Sequence, residues 1–182
     1  EEQWENLKKC EYIWLSHGHP DHINIKSLDK LRDKKILLAS HINNRIQDDL
    51  SNLGFNVSSL EERKWIQLTK NLSILTISDY FQDSILLINL NGHLLVNIND
   101  ASNKGWGRFV KNITKNFKDP FLFKLFGYGD ADMINYFLED GTRIPPKAAL
   151  KKPIGEQINF WSRYYGTKSI VPSSCFHQYQ RK

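Results

Sequence analysis

The sequence predicts a sheet-rich α/β or α+β protein, and three observations carry that reading. The first third alternates short apolar runs with amphipathic segments, the pattern of parallel strands joined by helices. The middle is a succession of strand-like runs folded about Asn91-Gly92, a dipeptide suited to a tight hairpin because both positions accept positive φ. The last third returns to segments of helical length before one more apolar run.

Taken in order, "EYIWLS" is aromatic and β-branched, so it predicts a buried strand. "IKSLDKLRD" spaces Ile25, Leu28 and Leu31 as one helical face. "KILLAS" is a second strand, and "NNRIQDDLSNLG" a helix closed by Gly54. "WIQLT", "LSILTIS" and "SILLINL-NG-HLLVNIN" are successive strands. "GWGRFVKNITKNF", "DADMINYFLED" and "GEQINFWSRYYG" are expected to be helical, and "SIVPS" a last strand. Three strands then end in polar residues: Ser16-His17, Asp100, and Ser174 to His177. Open α/β sheets place their sites at such ends.

Composition narrows the class. The chain has 182 residues, 40% hydrophobic and 25% charged, which is ordinary globular usage. No repeat, low-complexity tract or linker divides it, so residues 1–182 read as one domain. No apolar run is long enough for a transmembrane helix. The first residues, "EEQWENLKKC", have no initiator Met and no apolar signal core, and the expectation is a piece of a longer chain. Cys10 and Cys175 lie far apart and outside any CxxC spacing, which fits free thiols in a reducing cytoplasm. A net charge of +5 leans towards anionic partners. The aromatic residues sit within the apolar runs, as core, and no nucleic-acid-binding motif is present. Nothing in the sequence specifies an oligomeric state.

The stretch "WLSHGHPDHIN" carries the chemistry. His17, His19, Asp21 and His22 place three imidazoles and a carboxylate in six positions directly after a strand. Such donors suit Zn, Fe or Mn. In an extended turn His17 and His19 point the same way, while Asp21 and His22 face a neighbouring position, with Pro20 stiffening the turn. Two ions ~3.5–4 Å apart can share a water, lower its pKa and make it nucleophilic at neutral pH.

"HGHPDH" resembles the H-x-H-x-D-H signature of the metallo-β-lactamase superfamily. "LLVNINDA" resembles the place where that superfamily has its metal-bridging aspartate, here Asp100, and "IVPSSCFHQYQ" resembles the late strand and loop that supply a last histidine, here His177. The order of elements and the "NINDA" wording are most similar to the branch containing CMP-N-acetylneuraminic acid hydroxylase. The resemblance implies an αββα sandwich with one or two divalent ions, Zn first and Fe or Mn otherwise, at one edge. It implies His17, His19, Asp21, His22, Asp100 and His177 as ligands, with Asp21 and Asp100 as the catalytic carboxylates. It also implies a half-sheet before His17 for which only sixteen residues remain, so the domain is expected to be truncated at its N-terminus.

Two departures matter. The hydroxylases of that branch carry a Rieske cluster, and no Cys/His pairs for one are present. The superfamily also has a histidine between the first motif and the bridging aspartate, whereas "ILTISDYFQDSILLI" has none. Asp79 or Asp83 is the available oxygen substitute, Asp79 being the candidate ligand. His41 and His93 read as surface or loop histidines.

For substrate contacts the candidates are Tyr128, Asp130 and Asp132 in "FGYGDADMINYF", and Arg108, which with Lys111, Lys115 and Lys118 makes a basic stripe at helical spacing. Tyr179 and Arg181 lie beyond His177 as further candidates. The leading expectation is a metallo-hydrolase acting on an ester, phosphoester or lactone of a small anionic substrate: a sugar, nucleotide-sugar or lipid phosphate. The alternatives are an iron-dependent hydroxylase-like oxygenase component, and a non-catalytic metal-binding or scaffold protein with a degenerate site. A nuclease is suggested only by charge, and nucleic acid is the least expected partner.

Overall fold

Side chains alternate across a strand, so an apolar residue at every position means burial on both faces. Burial on both faces marks β2 (Lys35–Ala39), β5 (Leu72–Ser78) and the first half of β6 (Ser84–Leu90), where Ser73, Thr76, Ser78 and Ser84 are buried with the apolar residues, whereas β7 (His93–Asn99) alternates buried with half-buried or exposed positions. The computed structural model describes residues 2–20, 22–125, 136–144 and 154–173. In it, Ile36 and Leu38 of β2 face one apolar cluster and Leu37 faces another. Leu75, Ile85 and Leu87 of β5 and β6 face a third, while Ile74 and Leu86 meet Leu37.

These clusters define four layers. Helices α2 (Ile25–Leu28) and α3 (Arg45–Asn52) lay Leu28 and Leu50 on a three-stranded sheet. That sheet is parallel, in the order β1-β2-β3, with β1 spanning Tyr12–Leu15 and β3 Val57–Leu60. Its other face packs on a six-stranded sheet through Leu37, Leu60, Ile74 and Leu86. The larger sheet has the order β11-β8-β7-β6-β5-β4, with β4 at Ile66–Thr69, β8 at Phe121–Leu125 and β11 at Ser169–Ser173. Helices α4 (Gly107–Thr114) and α5 (Ile154–Tyr165) cover its far side with Val110, Trp161 and Tyr165. A further helix, α1 (Glu2–Lys9), has no buried residue. The expected αββα sandwich is thus observed. Full burial of one Leu or Ile of these clusters contributes about 1.5–3 kcal/mol, so the side-chain alternation fixes strand register strongly.

Local signals behave as the chemistry requires. Asn91 (φ 52°) and Gly92 (φ 82°) close the β6–β7 hairpin, with Leu90 opposite His93. Gly54 (φ 82°) ends α3: its N–H donates to Ser51 O and that of Phe55 to Leu50 O, a Schellman closure.

One expectation is corrected. The helix read over 130–140 does not run through its end, because Tyr136–Phe137 (β9) pairs antiparallel with Arg143–Ile144 (β10). The reason is local. Gly141 turns at φ 81°, Leu138 N–H donates to Thr142 O, and Asp140 Oδ1 accepts Thr142 N–H, so the "EDG" turn closes a small hairpin. The start of that segment lies outside the described residues. Strands β3 and β8 were not read from the sequence at all.

Candidate metal centre

Parallel pairing of β1 with β2 brings the residues that follow both strands to one edge of the small sheet. In the large sheet, β5 and β7 run the same way with β6 between them, so the β5–β6 turn and the end of β7 share an edge. Three loops of the candidate site come from these ends: 16–22, 79–83 and 99–102.

The first loop leaves β1 with Ser16 and His17 both buried, His17 at only 4% exposure. Gly18 permits the turn to lie against α3, since a Cβ there would come within 3.1 Å of the Ile46 side chain. The backbone then folds on itself, His22 and Ile23 N–H both donating to His19 O. Asn24 Oδ1 accepts Ser27 N–H and caps α2, which stops the loop from unwinding further. At the end of β7, Asn99 takes a left-handed φ of 49° at a register shift against β8. The strand therefore breaks there, and Asp100 turns towards the histidines.

His17 Nε2 lies 2.8 Å from His19 Nδ1 and 3.8 Å from Asp100 Oδ2, and His22 Nε2 lies 3.7 Å from the same oxygen. One ligand atom from each of His17, His19 and Asp100 falls within 4.8 Å of the others. A tetrahedral ion with bonds of about 2.0–2.2 Å needs donor atoms about 3.3–3.6 Å apart, so the observed separations bracket what such an ion would draw together. Two nitrogens and a carboxylate oxygen, with a third nitrogen alongside, therefore fit a divalent cation.

The outer partners also fit. Ser16 Oγ lies 2.9 Å from His17 Nδ1 and 3.2 Å from His22 Nδ1, and it accepts from Asn99 Nδ2 at 3.2 Å. With both Nε2 atoms facing the cation position, both Nδ1 atoms carry protons. A hydroxyl has two lone pairs, and Asn99 occupies one, so Ser16 can accept from one ring only. Asp83 Oδ1 stands 3.6 Å from His17 Nδ1, an electrostatic neighbour beyond hydrogen-bond distance. His17 Nδ1 and His22 Nδ1 thus have oxygen neighbours behind them, and both rings turn Nε2 towards Asp100, the orientation that metal-bound histidines adopt.

Burial, then repulsion from neighbouring His22, lowers the His17 pKa below the ordinary imidazole value, against opposing pulls from Asp83 and Asp100. The neutral ring, the form that ligates, is favoured. Burial raises the Asp83 carboxyl above its ordinary value, with His17 opposing.

Asp79 stands in the sequence interval of the absent histidine, but its oxygens face backbone N–H groups. Oδ1 accepts from Phe81 N–H at 2.7 Å and Asp83 N–H at 3.1 Å, and Oδ2 accepts from Ser102 N–H at 2.8 Å. Its three bonds staple the 79–83 turn to the loop after Asp100, and the carboxylate that approaches His17 is Asp83. Three amides take lone pairs of Asp79, and among the described residues the ligand atoms that converge are those of His17, His19 and Asp100.

His41 is a loop residue, as expected, and it stands near the cluster. It follows β2, is partly buried, and sets Nε2 3.4 Å from Ser84 Oγ. Ser84 O–H in turn donates to Ser16 O. Burial, then the nearby His17, lowers the His41 pKa. The signal that finds it is the parallel β1–β2 pair, which carries residue 41 to the edge that holds residue 17. His93 is exposed at the opposite end of β7 from Asp100, as expected. Arg108 is exposed on α4 and takes no part in the cluster, and Lys111 of the basic stripe lies over Tyr164 at 5.2 Å. Asp21, Tyr128, Asp130, Asp132, His177, Tyr179, Arg181 and Cys175 lie outside the described residues. Among those described, Cys10 is a free, exposed thiol. No described helix is long and apolar enough to cross a membrane.

Comparison with known proteins agrees with the fold. No family model matches the chain. Cytidine monophosphate-N-acetylneuraminic acid hydroxylase of Sus scrofa is 23% identical over 124 residues, covering 63% of this chain and 28% of that protein, so the chain spans well under a third of that relative's length. Among solved structures, isothiocyanate hydrolase from Delia radicum gut bacteria superposes with a TM-score of 0.60 at 15% identity, covering 95% of this chain and 66% of that one. A mutant of the β-hydroxylase CmlA gives 0.52 at 14%, covering 64% and 26%. The chain has the metallo-β-lactamase fold, and its sequence likeness lies with the CMP-N-acetylneuraminic acid hydroxylase branch.

Proposed function

We propose that the chain is a metal-dependent hydrolase-like domain in which His17, His19, His22 and Asp100, joined by Asp21 and His177, hold one or two divalent ions, zinc first. The observation that carries this is the convergence of His17 Nε2, His19 Nδ1 and Asp100 Oδ2, with Ser16 Oγ 2.9 Å from His17 Nδ1 and 3.2 Å from His22 Nδ1 behind them. A bound divalent ion supplies activation of water and stabilisation of negative charge on the substrate. The chain's own residues do the rest. Ser16 and Asp83 fix ring orientation from behind. Asp100 Oδ2, between two imidazoles, is placed to hold the proton released as water attacks. The substrate is a small anionic ester, phosphoester or lactone, met in the cytoplasm, and the net charge of +5 favours its approach.

Elemental analysis after purification and after reconstitution tests the metal, and a panel of aryl esters, phosphodiesters and lactones tests the chemistry. We expect at least one Zn, Fe or Mn per chain and metal-dependent hydrolysis of one class. No uptake of any of the three metals would overturn the reading. A second reading has its own support in the named activity of the curated relatives: an iron-dependent oxygenase component. Iron in place of zinc, with turnover dependent on dioxygen and reductant, would select it.

A further inference from the structure

The turn between β5 and β6 holds two aromatic rings out in water at the rim of the metal centre. Tyr80 is 79% and Phe81 58% exposed, and their rings meet edge to face with centroids 5.5 Å apart. Single exposed apolar side chains are ordinary on protein surfaces. These two differ in what holds them. Buried Asp79 accepts the N–H groups of Phe81 and Asp83, and its own N–H donates to Asp83 O at 2.7 Å. Gln82 is left-handed at φ 68°, a conformation costly for a residue other than glycine. A buried carboxylate and a strained residue thus fix a turn whose tip carries rings that contribute nothing to any core. Rings ordered in advance lose little freedom when a ligand stacks on them.

Position completes the case. Through Asp79, the turn is bonded to Ser102, two residues after Asp100, and it ends at Asp83, 3.6 Å from His17. The rings therefore stand on a segment tied to both loops of the metal centre. Exposed Lys104 lies beside them, its ammonium 5.3 Å from the Phe81 centroid. We propose that Tyr80, Phe81 and Lys104 form a recognition lip for an anionic substrate that carries a planar aromatic group. The rings stack on the substrate's π-face and Lys104 pairs with its anion, which leaves the reacting group towards His17 and Asp100. The inference deepens the hydrolase-like reading by naming the feature the site selects, and it rests on that reading only for what the lip serves.

Calorimetric titration of the zinc-reconstituted full chain with phenyl phosphate, methyl phosphate and inorganic phosphate tests it. Phenyl phosphate is expected to bind about tenfold more tightly than methyl phosphate, the scale of one aromatic contact. The Tyr80→Ala/Phe81→Ala variant should bind the two organic phosphates alike, with metal content and inorganic phosphate affinity unchanged. Tyr80→Phe/Phe81→Tyr should keep the preference, and Lys104→Ala should weaken both organic phosphates to the same degree. A wild-type protein without the preference, or an alanine variant that retains it, overturns the lip. Ring preference without hydrolysis of any ester would remove the hydrolase reading and leave the lip standing. Hydrolysis without ring preference would do the reverse.

Discussion

Lys124 gives the sharpest quantitative test of the packing beside the site. It lies on β8 opposite Asn99, only 8% exposed, with Nζ 3.5 Å from Ala101 O and 4.5 Å from the centroid of Trp161. Burial pulls its pKa from 10.5 down to about 8, with Asp100 opposing. At ~1.4 kcal/mol per unit, keeping this ammonium charged at pH 7 costs on the order of 3 kcal/mol of folding free energy. Contact with the Trp161 ring returns up to about 2 kcal/mol. Lys124→Met keeps the length of the stem and removes the charge, so it is expected to stabilise the protein at pH 7 by about 1–3 kcal/mol. The sign over pH follows from which state binds more protons. Between the folded value near 8 and the unfolded value of 10.5, the unfolded chain holds the extra proton, so wild-type stability rises with pH across that window. The advantage of Lys124→Met should therefore shrink by ~1.4 kcal/mol per pH unit from 8 to 10. Urea unfolding of both proteins at pH 7, 8, 9 and 10 reads this difference, with all other titrations common to the pair. A variant that is less stable at pH 7, or a gap that does not change with pH, would refute the reasoning.

Ser16→Ala removes the hydroxyl that stands behind the His17 and His22 rings and should weaken metal binding about 10–100-fold while the fold persists, measured by chelator competition. Unchanged affinity would separate Ser16 from the site. Asp79→Asn leaves one carbonyl oxygen for three N–H donors, and a loss of about 2–3 kcal/mol in urea unfolding is expected. Wild-type stability together with loss of metal would instead make Asp79 a ligand. His17 and His41 both have lowered pKa values, so their contribution to stability is complete above the unfolded value near 6.5 and is lost as pH falls below it. The metal-free protein should lose stability over that acid limb, and His41→Asn should flatten it, as followed by thermal unfolding from pH 7 to 5. His93→Ala should change stability by under about 0.5 kcal/mol at either pH, because an exposed strand-end histidine has nothing to lose.

What the sequence made legible was local. The run before Ser16, the ligand-rich loop and the Asn91-Gly92 turn each announce themselves within a few residues. Gly54 does so as well, because a left-handed closure of α3 needs that residue type. What stayed hidden depends on partners far along the chain. "VSSL" has too few apolar residues to read as a strand, and it becomes β3 because β2 offers it an edge. β8 was masked by Lys124, a charge inside an apolar run that the sheet accommodates by laying the stem against Trp161. The roles of Asp79 and Asp83 could not be divided by order alone, since four residues separate them and both precede β6. The Asx-turn chemistry of an aspartate followed by N–H groups two and four residues on was the available clue. His41 was within reach too, because the predicted parallel pairing already placed the ends of β1 and β2 together.

The loops of the site are tied to one another more than to any one ligand. Ser84 binds Ser16 O, Asn99 Nδ2 donates to Ser16 Oγ, Asp79 accepts from Ser102, Gln82 Oε1 accepts from Ile42 N–H, and Ser78 Oγ donates to Ser40 O. Each bond crosses between strand ends, so the loops that carry His17, His19 and Asp100 are tied together by the protein's own contacts. A small domain whose ligands gather only on metal binding folds and unfolds with its metal. Here the three apolar clusters and the cross-bonds carry the fold. The absence of a histidine between residues 22 and 93, other than His41, then has one main consequence. On the proposed metal reading it leaves fewer donors on the His17 side and so a lower expected affinity for an ion there, while the scaffold that aims the remaining donors persists. On that reading, whether the domain is an enzyme or a binding protein turns on how tightly the His17–His19–Asp100 cluster holds its ion, which is a question of affinity and not of folding.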